Sequence, residues 1–273
     1  MPGDDYLTLS KRIFANRLYR KLDQNTRFVL NTRINSINNR LRYFAPADPY
    51  KILSVPTDAV AYRCVNIRNT VGLGRVVDGD WDLPSQNPDV ESYWRIKGLK
   101  ERFEKGWDWH ETTYYEKVVE KFEQYSGSYW GYDSLEEFEE RLAYNDYLFE
   151  RISEEGYEKN FGSDPETPDS DARTDSRRKM NELEVLVCIG RNGQFLLLEG
   201  HHRFAVADIL GIDIPVQILA RHQTWQEKRD QMAEAESIDD LTPELRELLD
   251  HPDMDDVRPS IATTNEMGYL FPG

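Results

Sequence analysis

The sequence predicts an α+β fold with an α/β-like core, in which a mostly helical N-terminal region packs on a small mixed-sheet domain. Three observations carry this expectation. Apolar residues recur at helical spacing in three stretches between residues 93 and 155. Two short apolar runs, Val185-Leu186-Val187-Cys188-Ile189 and Phe195-Leu196-Leu197-Leu198, flank a turn and read as a hairpin. A helical stretch and a further apolar run follow directly, which is the order of a strand–helix–strand unit.

Leu7, Phe14, Leu18 and Leu22 are spaced by seven, four and four residues, which suggests an amphipathic helix. Pro46, Pro49 and Pro56 punctuate the next stretch, with residues 50–55 between them as a short strand. Residues 72–82 are rich in Gly and Asp and read as turns. Tyr93, Ile96 and Phe103 suit one helix; Tyr115, Val118, Val119 and Phe122 suit another. Leu135, Phe138, Leu142, Phe149 and Ile152 share one face of a third, with Ser134 as N-cap and Gly156 as terminator. Residues 160–181 are rich in Asp, Pro, Ser and Thr and read as a mobile loop. Arg191-Asn192-Gly193-Gln194 forms the hairpin turn. Residues 201–210 form a helix stopped by Gly211, residues 214–219 a strand, and residues 224–235 a helix. Pro215 places the start of that strand at a sheet edge. Thr242-Pro243 opens a last short helix as N-cap and first turn. The expected division is an N-terminal region 1–132, a domain 133–236, and an acidic C-terminal tail 237–273.

Composition narrows the class. Apolar residues make up 39% and aromatics 12% of the chain, enough for a globular core. No apolar run approaches the roughly 20 residues a membrane span needs, and residues 1–5 have no signal-peptide character. A cytoplasmic location is the expectation. The net charge is −16, and the 34 basic residues comprise 11 Lys and 23 Arg. An acidic surface poor in Lys resembles proteins of salt-loving archaea, where salt screens the self-repulsion. Two cysteines, Cys64 and Cys188, are too few for a disulfide scaffold or a zinc-thiolate site. Residues 11–42 break the acidic trend, with nine Lys/Arg against the single acid Asp23. Two readings stand: the segment neutralises acidic surface of this chain or a partner protein, or it contacts DNA or another polyanion. The first is preferred, because molar salt removes most of the counterion-release term.

The chemistry concentrates in Glu199-Gly200-His201-His202-Arg203, at a strand end, a turn and a helix start. A helix N-terminus offers free backbone N–H groups and partial positive charge, which suits a phosphate. Gly200 lets a ligand approach the backbone, and Arg203 in the first turn could grip an anion bidentately. His201 and His202 add donors or a base near neutral pH. Glu199 places a carboxylate where it could polarise a hydroxyl or help hold Mg²⁺. Asp80 and Asp82, around Trp81, form a secondary candidate cluster. Arg221 and His222, expected just past the last core strand, are candidates to reach the same cleft. Trp107, Trp109, Tyr114 and Tyr115 read as core or interface aromatics. His110 and His251 have no partner at metal-ligand spacing.

Glu-Gly-His-His-Arg, a helix, and Gly211-Ile212-Asp213-Ile214-Pro215-Val216 together resemble the ParB/sulfiredoxin superfamily. The likeness covers roughly residues 145–222. Sulfiredoxins carry a catalytic cysteine where this chain has His201, so sulfinic-acid reduction is not implied. ParB proteins have Gly-Glu-Arg-Arg; here Gly200 and Arg203 match and the two histidines do not. No basic helix-turn-helix follows residue 221. The motif is most similar to the Asp-Gly-His-His-Arg of archaeal free serine kinases, with Glu199 in place of Asp. The resemblance implies a nucleoside di- or triphosphate with Mg²⁺ as cofactor, and phosphoryl transfer to a small-molecule hydroxyl. It makes Glu199, His201 and His202 the candidate catalytic residues, and Gly200 through Arg203 the phosphate cradle. A ParB-type DNA-associated module and a non-enzymatic regulator or scaffold are the alternatives. A homo-oligomer fits any of the three.

Overall fold

The computed structural model describes residues 22–125, 129, 132–159 and 183–259. The expected helix around Leu7–Leu22, Arg12, Arg17 and Arg20, and the expected mobile loop 160–181 lie wholly or mainly outside them. The fold is α+β, with seven α-helices and a mixed six-stranded sheet among the described residues. The strands are β1 (Ile52–Val55), β2 (Tyr62–Arg63), β3 (Arg75–Val77), β4 (Val185–Ile189), β5 (Phe195–Glu199) and β6 (Ile214–His222). The helices are α1 (Gln24–Arg42), α2 (Trp94–Phe103), α3 (Thr113–Gln124), α4 (Leu135–Glu155), α5 (His201–Leu210), α6 (Gln223–Glu234) and α7 (Pro243–Arg246).

The sheet order is β1-β6-β4-β5-β2, with β3 also pairing β6. β4 and β5 are the antiparallel hairpin, closed by Gly190 N–H donating to Gln194 O at 2.9 Å. β6 runs parallel to β4 on one side. On its other side β6 pairs first with β1, antiparallel, and then with β3, parallel. β6 is therefore internal, which corrects the edge position expected from Pro215. The proline is tolerated because it sits opposite Ser54 of β1, one residue before the β4 ladder begins at Val216.

Both faces of the sheet are covered, which explains why β4 and β5 are apolar without interruption. Val185, Val187, Ile189, Phe195 and Leu197 face a large core with Ile96, Leu99, Tyr114, Phe138 and Phe204 from α2–α5. Leu186, Cys188, Leu196 and Leu198 face a smaller core with Phe28, Leu73 and Trp81. The N-terminal region contributes β1, β2 and β3 to the same sheet as β4–β6. No division of the sheet falls near residue 132, because strand pairing across it completes the sheet. The segment after residue 236 is likewise built in: Leu241, Leu245, Met254 and Asp253 are buried. Among the described residues no helix is long and apolar enough to cross a membrane.

Helix α1 docks in an unusual way. Phe28 packs in the smaller core, and the other contacts with the body are largely amides: Asn31 Nδ2 donates to Thr70 O, Asn35 Nδ2 to Val71 O and Leu73 O, and Asn39 Nδ2 to Gly74 O. Thr32 Oγ1 accepts from Leu73 N–H. Leu30, Ile34, Ile37, Leu41 and, just beyond the helix, Phe44 are exposed instead. Arg33, Arg40 and Arg42 are exposed and pair with no carboxylate among the described residues. For this part of the basic segment, the helix is held to the body by hydrogen bonds to backbone carbonyls and not by charge on acidic surface of this chain.

Candidate functional site

The motif lies where β5 hands over to α5. Glu199 ends β5, opposite Leu186 of β4. Gly200 is the N-cap of α5 and turns the chain at φ 85°. A Cβ there would stand 2.9 Å from Val185 Cγ2 and 3.1 Å from Val185 Cα. The left-handed conformation and the lack of space both demand glycine. As N-cap it supplies no side chain to the first turn, so His201, His202 and Arg203 start an uncapped helix. Asp23, Thr112, Ser134 and Thr242 cap α1, α3, α4 and α7 with side-chain oxygens.

Around this helix start stand residues that the sequence alone did not single out. The Tyr93 ring, at the N-cap of α2, lies 4.8 Å from the His201 ring. Arg63, the last residue of β2, lays its guanidinium over the Tyr93 ring at 3.5 Å. Arg95 is buried and lies 4.5 Å from the Trp94 ring and 5.5 Å from that of Tyr93. Tyr114 of α3 hydrogen bonds His202 Nε2 at 2.8 Å. Asn69 Nδ2 donates to Glu199 Oε1 at 2.9 Å. Gly98 lets α2 approach α3 closely, since a Cβ there would lie 2.3 Å from Tyr114 Cβ. That approach sets Tyr114 against the motif.

The electrostatics follow from burial beside cations. Burial holds the His201 imidazolium down to about 3, reinforced by Arg95 and Arg63. Burial also lowers His202 well below its ordinary value, with Arg141 and Arg95 adding. Both rings are therefore neutral at pH 7. Burial pushes the Tyr114 phenol up to about 12, so it is a hydrogen-bond donor throughout the neutral range. Tyr114 O–H donating to His202 Nε2 would leave His202 as the acceptor. His201 Nε2 and Arg63 Nε are buried with no hydrogen-bond partner among the described residues.

Arg203 points elsewhere. Its Nη2 donates to Leu183 O at 3.1 Å and its Nη1 to Tyr157 Oη at 3.3 Å, with Glu184 Oε2 at 3.7 Å. The Glu184 side chain is wholly buried. Arg203 thus ties α5 to the residues entering β4 and to the end of α4.

The secondary candidates do not join this cluster. Arg221 and His222 are the last residues of β6, within the strand rather than past it. Arg221 pairs in register with Ile189, whereas Glu199 pairs with Leu186. Three strand residues, roughly 10 Å, separate the two levels of the sheet. Reach into the Glu199–Arg203 cleft is corrected accordingly. Arg221 instead forms a buried bidentate pair with Asp253 at 2.6 and 2.9 Å. His222 Nε2 is 2.8 Å from Gly79 O. Asp82 accepts from the Arg191 backbone N–H at 2.7 Å and from its guanidinium, and Asp80 accepts from the same guanidinium at 2.9 Å. Burial raises the Asp82 carboxyl, but the Arg191 hydrogen bonds outweigh it and hold it low. Asp80 and Asp82 therefore clamp the loop after β3 to the hairpin turn. Of the aromatics read as core, Trp109 and Tyr114 are buried and Trp107 is exposed. Among the described residues no group of three His, Cys, Asp or Glu side chains could hold a metal ion.

No family model, no curated protein and no solved structure matches this chain.

Proposed function

We propose that the chain binds a nucleotide at the start of α5 and transfers a phosphoryl group to the hydroxyl of a small molecule. The observation that carries this reading is an uncapped helix N-terminus, opened by a glycine at which any side chain would be strained, with Arg63 and Arg95 nearby. Free N–H groups and buried cations favour a polyanion there. The resemblance of Glu199-Gly200-His201-His202-Arg203 to nucleotide-binding members of the ParB/sulfiredoxin superfamily points the same way. Mg²⁺ would travel with the phosphates, which suits a cation that keeps most of its waters, and Glu199 is the carboxylate at hand to help hold it.

In this reading the protein contributes position and charge neutralisation more than covalent chemistry. Asn69 orients the Glu199 carboxylate, which accepts the proton of the attacking hydroxyl. Tyr114 fixes the His202 ring, and His201 lines the site as a neutral ring. Arg203 supports the site through the anchor to Glu184, so the phosphate contacts come from the backbone and from the other arginines.

A coupled nucleotide-turnover assay tests this, run in low and in molar KCl, with hydroxyl acceptors, and with and without DNA. Glu199→Gln is expected to lower turnover at least about 100-fold while the nucleotide Kd stays within about twofold, because the amide keeps the shape but is no base. Wild-type turnover in the variant would remove Glu199 from the chemistry. Nucleotide binding that requires DNA would favour the DNA-associated module instead.

A further inference from the structure

We propose that Arg63, Arg95 and His201 form an anion subsite beside the start of α5, and that it takes the terminal phosphate of the nucleotide. The proposal rests on the nucleotide reading above and assigns the residues that grip the transferred end.

Two buried nitrogens carry it. His201 is 8% exposed, and its Nε2 has no partner among the described residues. Arg63 is half-buried, and its Nε atom is buried and without a partner among the described residues. Buried polar groups are nearly always hydrogen-bonded in native proteins, so two such orphans around one ring point to an absent partner. The Tyr93 ring ties them together: it lies 4.8 Å from the His201 ring and 3.5 Å from the Arg63 guanidinium.

The sign of the missing partner follows from the charges. Among the described residues no carboxylate lies within 4.0 Å of Arg63. Glu199 acts on it from further away and is itself engaged by Asn69. Arg95 adds a buried cation beside the half-buried Arg63 and opposes its charge. The face of Tyr93 offsets only part of the desolvation of Arg63. An anion with several oxygens would accept from Arg63 Nε–H and from His201 Nε2–H, and would separate the two guanidinium charges. A phosphate end group meets these demands, and the neighbouring helix start faces the same polyanion.

Isothermal calorimetry with inorganic pyrophosphate and with Mg²⁺ complexes of ATP, CTP, GTP and UTP tests the assignment. The wild-type chain is compared with Arg63→Gln, Arg63→Lys and His201→Gln, each checked for folding by circular dichroism. The expected result is pyrophosphate binding that weakens at least tenfold in Arg63→Gln and is partly restored in Arg63→Lys. His201→Gln, which keeps a side-chain N–H, is expected to weaken it less. If Arg63→Gln does not fold, loss in Arg63→Lys or His201→Gln carries the test. Unchanged affinities for pyrophosphate and nucleotide in all three variants overturn the subsite and leave the nucleotide reading standing. Arg63-dependent pyrophosphate binding without binding of any nucleotide upholds the subsite and overturns that reading. No binding of any probe to the wild-type chain overturns both.

Discussion

At the scale of single residues, the two histidines matter because they are neutral. In the unfolded chain a histidine titrates near about 6.5. In the folded chain burial keeps His201 unprotonated down to about 3, and His202 is lowered well below its ordinary value. Between those limits the unfolded state binds more protons, so stability rises with pH and is lost as pH falls below about 6.5. His251, also lowered by burial, acts in the same direction. Exposed His110, raised by Asp108, acts in the opposite one. Each buried ring contributes at most about 1.4 kcal/mol per pH unit. Urea denaturation at pH 7.5 and 5.0 is therefore expected to show a clear loss of stability at the lower pH. His201→Gln is expected to reduce that loss by about 1–2 kcal/mol. An identical loss in both proteins would mean that His201 takes up a proton in the folded state. The motif and its chemical types are legible in the sequence directly. It could not give the neutrality, which comes from Tyr93, Arg63 and Arg95, residues more than 100 positions away in the chain.

At the scale of elements, most boundaries were legible because local signals agreed. Ser134 caps α4 through Glu137 N–H, Gly156 ends it, and Thr242 caps α7. The β4–β5 hairpin, α5 and its stop at Gly211 also lie where spacing and turn residues put them. β2 and β3 were not legible, since strands of two and three residues carry too little pattern to read. α1 shows a different failure. Its residues carried no reading beyond their positive charge, and the apolar ones at 30, 34, 37 and 41 lie exposed while asparagines satisfy carbonyls of residues 70–74. Asn39→Ala is expected to cost about 1–3 kcal/mol, because it leaves the Gly74 carbonyl unsatisfied in a buried place. Ile37→Asn, at an exposed position, is expected to change stability by no more than about 0.5 kcal/mol. Urea midpoints measure both, and a larger effect at Ile37 would mean that the stripe is covered.

At the scale of the whole molecule, one sheet is assembled from distant parts of the chain. β1 and β3 meet β6 across more than 140 residues, and β2 meets β5 across more than 130. Sequence periodicity says nothing about such pairings, which is why the N-terminal region read as a separate helical layer. The C-terminal segment closes the opposite end of the sheet from the motif. Asp253 accepts from Arg221 and Trp225, and Arg229 reaches both Asp253 and Asp256. Burial raises the Asp253 carboxyl, but the two arginines outweigh it and keep it ionised. This scaffold leaves the start of α5 as the place where an uncapped helix, orphaned buried nitrogens and a carboxylate meet. The most direct test is an amide proton–nitrogen correlation spectrum of the full chain, titrated with the Mg²⁺ complexes of the four ribonucleoside triphosphates. Saturable shifts are expected, centred on the amides of Gly200, His201 and His202, with further shifts at Arg63 and Arg95 and none at Arg221 or His222. Shifts confined to other surfaces, or no shifts at millimolar nucleotide, would contradict the proposed nucleotide site.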